Sequence, residues 1–238
     1  MSDVDLTPAA APAWLAPLVE RLGDGSASAL VSERLAGRSP GSGRPDDAAV
    51  LMLFVGGAPH AAARPGDAGV LITHRTPTMR SHSGQMAFPG GRIDPGDGGP
   101  VDAALREARE ETGLERWRVA PLATLTSVTT AGSKRSVRPV LAYSADPGRP
   151  YAASPAETDD VFFAPVAQLL DPANRLQVSF LGWDGPAFEI NGYVVWGFTG
   201  VLLDVLFAAA GWEEPWDRGR VVPLEAALRG SRNDENLG

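Results

Sequence analysis

Residues 91–114 read GRIDPGDGGPVDAALREAREETGL. A glycine-rich turn runs straight into a helical stretch that carries Glu107, Glu110 and Glu111. Spacings of three and four residues make such side chains neighbours on one helix surface. Carboxylates crowded in this way repel each other, and a hard divalent cation such as Mg2+ or Mn2+ suits a site built of oxygens. A run such as REAREE is more often a solvated face, with Arg106 and Glu110 as an i,i+4 pair worth about a few tenths of a kcal/mol. Without the preceding glycines that reading would be favoured, and the motif taken as a whole reverses it. Pro100 and Gly113 predict a helix over residues 100–112, with Ala104, Leu105, Ala108 and Thr112 on its apolar side.

The stretch resembles the Nudix box, the signature of the Nudix hydrolases. Gly91 opens the pattern, and Arg106, Glu107, Ala108, Glu110, Glu111, Gly113 and Leu114 match its second half. Asp97 stands where the pattern has Glu, and the loop between Asp97 and Arg106 is one residue longer than the pattern. The extra residue precedes the glutamates and leaves their spacing intact. The resemblance implies Glu107 and Glu111 as principal metal ligands, Glu110 as a further ligand or a partner through water, and a backbone carbonyl at Gly91 as another donor. It implies that Arg106 orients the carboxylates by charge-assisted hydrogen bonds.

Just upstream, residues 71–91 read LITHRTPTMRSHSGQMAFPGG. Leu71, Thr73, Arg75, Arg80, Gly84, Phe88, Pro89, Gly90 and Gly91 fall on a second signature, that of the coenzyme A pyrophosphatase branch of the Nudix family. Ile72 and Thr76 are conservative departures. The resemblance implies substrate contacts from Arg75, Arg80, Gly84 and Phe88, with the arginines meeting phosphates. His82 lies inside this motif and is a better functional candidate than His74. Glu157 follows Ser154-Pro155-Ala156, a segment similar to one in the same branch. It is a candidate outer ligand or base, and equally a surface acid.

Bulk properties bound the rest. The chain has 238 residues and no cysteine, which excludes disulfides, Cys-based zinc sites and a thiol nucleophile. A formal net charge of −8 argues against general binding to a nucleic-acid backbone. A few placed arginines and a metal still allow a small anionic substrate. No basic residue precedes Arg21, so no export signal is expected, and the expected location is the cytoplasm. Residues 194–210, VVWGFTGVLLDVLFAAA, are short of the roughly 20 residues of a membrane span and contain Asp204. They read as a buried core helix, similar to the C-terminal helix of the coenzyme A pyrophosphatases.

Hydrophobic periodicity predicts a helix over residues 14–22, with Leu15, Leu18 and Leu22 on one side. Strands are expected over residues 48–55, 69–75, 86–88, 118–128, 137–143, 161–163, 177–181 and 187–190, with a turn at residues 183–186. A helix opens at residues 165–170. Residues 37–45, 58–67 and 146–154 read as loops. Composition and periodicity support α/β or α+β. The resemblance narrows this to a Nudix-type α/β/α sandwich around a mixed β-sheet. Residues 1–44 then form an N-terminal extension, 45–229 the hydrolase domain and 230–238 a disordered tail.

The activity so implied is hydrolysis of the diphosphate bond in coenzyme A or its acyl derivatives. The products would be adenosine 3′,5′-bisphosphate and 4′-phosphopantetheine or its acyl form. Divalent Mg2+ or Mn2+ would assist, and one of Glu107, Glu110 and Glu157 would accept the water proton. ADP-ribose, NADH or a damaged nucleoside triphosphate are the alternative substrates, and a non-catalytic ligand-sensing domain is the third reading. Nudix domains often pair, so a homodimer is allowed.

Overall fold

A computed structural model describes residues 2–34, 46–57, 60–129, 135–235 and 237. The loop expected over residues 37–45 lies outside them, as do residues 58, 59, 236 and 238.

The central strand β1 (Ala48–Val55) is the run AAVLMLFV. Its side chains alternate between two cores, as a strand covered on both faces requires. Ala49, Leu51 and Leu53 face one apolar cluster, Met52 and Phe54 the other. β1 pairs in parallel with β7 (Ser136–Ser144) over its whole length. On its other edge it meets two antiparallel partners in succession. β4 (Gly90–Arg92) takes Ala48 to Val50, and β2 (Gly69–Arg75) takes Phe54 and Val55. β3 (Met86–Ala87), β5 (Ala120–Thr124), β6 (Val128–Thr129) and β8 (Thr158–Pro165) complete an eight-stranded mixed sheet.

One face of this sheet is covered by α3 (Pro100–Thr112), through Val101, Ala104, Leu105 and Ala108. The other is covered by α1 (Ala16–Gly23), α2 (Ser26–Arg34) and α5 (Gly197–Ala210). The expected α/β/α sandwich around a mixed sheet is therefore what the chain forms. Trp14, Leu15 and Leu18 of the N-terminal segment share a core with Phe54, Tyr143 and α5. A second sheet orders β11 (Tyr193–Val195), β10 (Trp183–Ile190), β9 (Arg175–Phe180) and β12 (Val221–Pro223). Short helices α4 (Val166–Leu170) and α6 (Leu224–Leu228) close the chain over the sheets.

α3 begins and ends as predicted. Gly113 ends it in the left-handed conformation, φ +66°, and its N–H donates to the Arg109 carbonyl at 2.9 Å. The start is capped from a distance. Asp3 accepts from the Val101 and Asp102 N–H groups at 3.2 and 2.9 Å, supplying acceptors that Gly99 lacks.

Four expectations need correction. The turn between β9 and β10 is Leu181-Gly182, both at positive φ (48° and 76°), and residues 183–186 lie within β10. Two successive residues at positive φ make a hairpin turn whose twist matches the strands. The single strand expected over residues 118–128 is broken. Arg116–Arg118 form a 3-10 turn and Pro121, which has no N–H for the ladder, sits at a register shift before β6. β8 is longer than residues 161–163, because Asp159 and Asp160 find partners in His74 and Tyr193 and stay in the strand. The tail is not disordered over residues 231–235. Asn233 is fully buried and hydrogen-bonded on all sides.

The apolar stretch 197–210 is a buried helix, and among the described residues no helix is long and apolar enough to cross a membrane. Asp204 within it is held by Arg34 and Arg175.

Candidate active site

β4 brings Gly90 and Gly91 against the side of α3 that carries Glu107 and Glu111. The Gly90 N–H donates to Glu111 Oε2 at 3.1 Å. The Glu107 carboxylate lies directly over Gly91, where a Cβ would fall 2.4 Å from its Cδ and Oε1. Two glycines thus let two carboxylates of successive helical turns close on one piece of backbone. Gly90 has a further reason: its Cβ would meet the Ala49 carbonyl oxygen at 2.3 Å and Val50 Cα at 2.7 Å.

Glu111 is almost fully buried. Burial pushes its carboxyl up to about 7, with the charges of Glu107 and Glu157 adding to the rise and Arg75 and the Gly90 N–H opposing it. Glu107 is also raised, first by burial, then by Glu110 and Glu157, against the pull of Arg106. Glu157 is exposed on the loop before β8, near enough for both helix carboxylates to feel its charge. Its own carbonyl accepts from the Thr76 N–H at 2.9 Å, which ties this loop to the end of β2.

Arg106 organises the outer edge. It grips Asp97 with two bonds, Nε to Oδ1 at 2.9 Å and Nη2 to Oδ2 at 3.0 Å. Nη1 donates to Glu107 Oε1 at 3.0 Å and Glu110 Oε2 at 3.1 Å, and Nη2 also donates to the Arg92 carbonyl. The bond from Arg106 holds Asp97 below the usual carboxylate range, and the same contacts raise Arg106. The unusual Asp at 97 is therefore part of the arginine clamp.

Arg75 ends β2 at a bulge in its pairing with β8, between His74 and Arg75. Bulges re-aim side chains, and here Arg75 Nη1 lies 3.8 Å from Glu111 Oε1. Arg75 Nε is buried without a hydrogen-bond partner among the described residues. A buried guanidinium N–H without an acceptor is costly unless an anion supplies one.

The structure thus brings Arg75, Arg106, Glu107, Glu111 and Glu157 together, with Gly91 beneath them. Glu110 sits at the rim, its side chain 57% exposed. Arg80 is exposed on the loop after β2. Two expected substrate contacts lie elsewhere. Phe88 is buried in the main core, and Gly84 is covered by the C-terminal segment. His74 is a buried linker, with Nδ1 2.5 Å from Asp159 Oδ1 and Nε2 3.0 Å from the Asn233 carbonyl oxygen. His82 Nδ1 meets Gln85 Oε1 at 2.9 Å. No local sequence pattern marks Asp3, Asn233 and Glu235, because their partners lie from 39 to 150 residues away.

As a metal site the arrangement fits in part. The donors are all oxygens, and burial and the neighbouring carboxylates raise both Glu107 and Glu111, so a hard cation beside them would favour their charged forms. Among the described residues no three His, Cys, Asp or Glu side chains converge to hold an ion by themselves. Backbone oxygen and water would have to complete the coordination of a small hard cation.

The NUDIX domain profile matches residues 56–183. A probable nudix hydrolase of Schizosaccharomyces pombe, C6G9.05, is 36% identical over 141 residues, 58% of this chain and 49% of that protein. NudL of Escherichia coli strain K12, named as an uncharacterised Nudix hydrolase, is 34% identical over 148 residues, 60% of this chain and 76% of that protein. The match thus spans about half the length of the S. pombe relative. Among solved structures, the Nudix hydrolase RenU of M. smegmatis is 25% identical, with a TM-score of 0.42, over 56% of this chain and 81% of that one.

Proposed function

Because the chain belongs to the NUDIX domain family, we propose that it is a divalent-metal-dependent pyrophosphohydrolase that cleaves the diphosphate of coenzyme A or its acyl derivatives. One observation carries the chemistry: Glu107 and Glu111 are packed on Gly90-Gly91 with Arg75 beside them. The substrate class rests on the upstream motif that supplies Arg75.

Glu107 and Glu111 would hold Mg2+ or Mn2+, with the Gly91 carbonyl as a further donor and Glu110 at the rim. A bound divalent ion would neutralise phosphate charge and favour ionisation of a water. Arg75, with an unsatisfied buried N–H, would take a phosphate oxygen and orient the diphosphate. Arg106 would keep Glu107 in one rotamer by holding it against Asp97 and the Arg92 carbonyl. Glu157 is the favoured base. Arg106 engages both Glu107 and Glu110, whereas no side-chain hydrogen bond engages Glu157 among the described residues. Proton transfer from water to its carboxylate would leave hydroxide aimed at phosphorus, in line with the departing phosphate. The protein would act in the cytoplasm on a free nucleotide, singly or as a homodimer.

Product analysis tests this reading. Purified protein with Mg2+ or Mn2+ is offered coenzyme A, ADP-ribose, NADH and 8-oxo-dGTP, with Glu111→Gln as control. Release of adenosine 3′,5′-bisphosphate from coenzyme A by the native chain alone is expected. Preference for another substrate would remove coenzyme A and keep the hydrolytic chemistry. Binding without turnover of any of them would leave a ligand-sensing domain.

A further inference from the structure

The polar C-terminal segment is built into the loop that carries the proposed substrate arginines. Asn233 is fully buried. Its Nδ2 donates to the Gly84 carbonyl at 3.0 Å and the Val194 carbonyl at 3.1 Å, and its Oδ1 accepts from the Val194 N–H at 2.8 Å. Its own carbonyl meets His74 Nε2 at 3.0 Å. Two residues on, Glu235 accepts from Gln85 Nε2 at 2.6 Å and from Trp196 Nε1 at 2.8 Å. Arg232 fixes the near end, its N–H donating to the Gly192 carbonyl at 2.8 Å and its guanidinium lying 4.5 Å over the Tyr193 ring. The segment therefore bridges β11 to residues 84 and 85.

Gly84 is shaped for this contact. Its φ is +73°, and a Cβ there would stand 2.3 Å from the Asn233 carbonyl oxygen and 2.7 Å from Glu235 Cα. Residues 84 and 85 in turn close the loop onto β2. The Arg75 N–H donates to the Gln85 carbonyl, and the Gly84 N–H donates to the Arg75 carbonyl, both at 2.9 Å. Arg75 is the residue whose guanidinium faces Glu111, and Arg80 rides on the excursion between. A continuous chain of hydrogen bonds thus runs from Asn233 and Glu235 through Gly84 and Gln85 to Arg75. No member of it belongs to α3, where the candidate metal-binding carboxylates sit.

We propose that Asn233 and Glu235 are positioning residues: they pin the loop of residues 76–85 so that Arg75 and Arg80 are held ready for the anionic substrate. This rests on the reading of Arg75 and Arg80 as phosphate contacts. Loosening the pin should weaken substrate capture and spare the chemical step, because Glu107 and Glu111 keep their own support. A merely structural role would lower stability and leave KM unchanged.

The test compares the full chain with Asn233→Ala, Glu235→Ala and Glu235→Gln, by amide hydrogen exchange and by steady-state kinetics with Mg2+. Both alanine variants should speed exchange in residues 76–85 and leave residues 100–112 unchanged. They should raise KM by about tenfold, the scale of one or two lost hydrogen bonds, with kcat within about threefold. Glu235→Gln retains one acceptor and should recover part of the KM. If Asn233→Ala does not fold, Glu235→Ala reads the adjoining contact to Gln85 from a half-buried position. A folded variant with unchanged exchange in the loop, a loosened loop with unchanged KM, or a kcat loss at constant KM would each overturn the proposal. If coenzyme A is not the substrate, KM is read on whichever of ADP-ribose, NADH or 8-oxo-dGTP is turned over. If none is turned over, the hydrolase reading falls, and unchanged loop exchange would independently overturn the pin.

Discussion

Arg106 and Asp97 face each other as a two-pronged pair, Nε to Oδ1 at 2.9 Å and Nη2 to Oδ2 at 3.0 Å. The pair anchors the guanidinium so that its remaining N–H can hold Glu107 and Glu110. Lysine cannot make a two-pronged contact and also reach the Arg92 carbonyl. Arg106→Lys should therefore lower kcat by at least about tenfold while the fold survives. Asp97→Ala should lower kcat by a similar factor, and Asp97→Glu should be milder because it keeps a carboxylate. Steady-state kinetics on these three variants check the order.

Glu111 makes stability depend on pH. Its folded value is raised from an ordinary 4.5 to about 7. The folded state therefore holds a proton that the unfolded chain has already lost between these values. The stabilisation is complete below about 4.5 and is lost as pH rises through about 7, a swing of at most about 3 kcal/mol. In metal-free protein, the denaturation midpoint should fall over this window. Glu111→Gln should flatten the profile and be the more stable protein at pH 8. Added Mg2+ should recover stability in the native chain and not in Glu111→Gln. A native profile flat from pH 5 to 8 would show that Glu111 ionises freely.

The two glycines of β4 should respond differently to alanine. At Gly91 the obstacle is the end of a flexible side chain, the Glu107 carboxylate 2.4 Å away. Glu107 can swing aside, so Gly91→Ala should keep its melting temperature within a few degrees and lose activity by about a hundredfold or more. At Gly90 the obstacle is backbone, the Ala49 carbonyl oxygen and Val50 Cα. Strand β4 would have to leave β1, so Gly90→Ala should cost about 2–4 kcal/mol and reduce soluble yield. Thermal melts alongside activity separate the two.

The sequence made the framework legible where a feature is local. β1 announces itself as an unbroken apolar run, and α3 by Pro100, Gly113 and a four-residue apolar period. The pairing of Glu107 with Glu111 follows from helical geometry alone. What stayed hidden depends on contacts between distant residues. Nothing near residue 3 says that it caps a helix at residue 101, and nothing in SRNDE at residues 231–235 says that Asn233 is buried beneath Gly84. Phe88 and Gly84 lie in the motif that also carries Arg75, and the motif by itself reads them as substrate contacts. A motif records which residues are required without saying whether for packing or for contact, and these two are held by the core and by the tail.

A last prediction concerns the charge inside α5. Asp204 is 1% exposed and bonded to Arg34 and to Arg175, which is itself wholly buried. Trp216 lies 4.4 Å from the Arg175 guanidinium, and Glu213 3.6 Å from its Nη1. Burial lowers Arg175 to about 10, still charged at neutral pH. Removing one partner of such a pair strands the other charge, which is worse than removing both. Asp204→Ala should therefore destabilise by about 3–5 kcal/mol, whereas Asp204→Leu combined with Arg175→Met should recover part of that loss, because Arg34 also loses its partner but is 21% exposed and can turn to water. Because the cluster ties α2 and the segment after α5 to the core and touches none of Arg75, Glu107 and Glu111, kcat measured well below the melting temperature should stay within about threefold of the native value. Urea denaturation of the single and double variants would decide it: a double variant as unstable as Asp204→Ala would mean that the ion pair itself, and not the stranded arginine, supplies the stability.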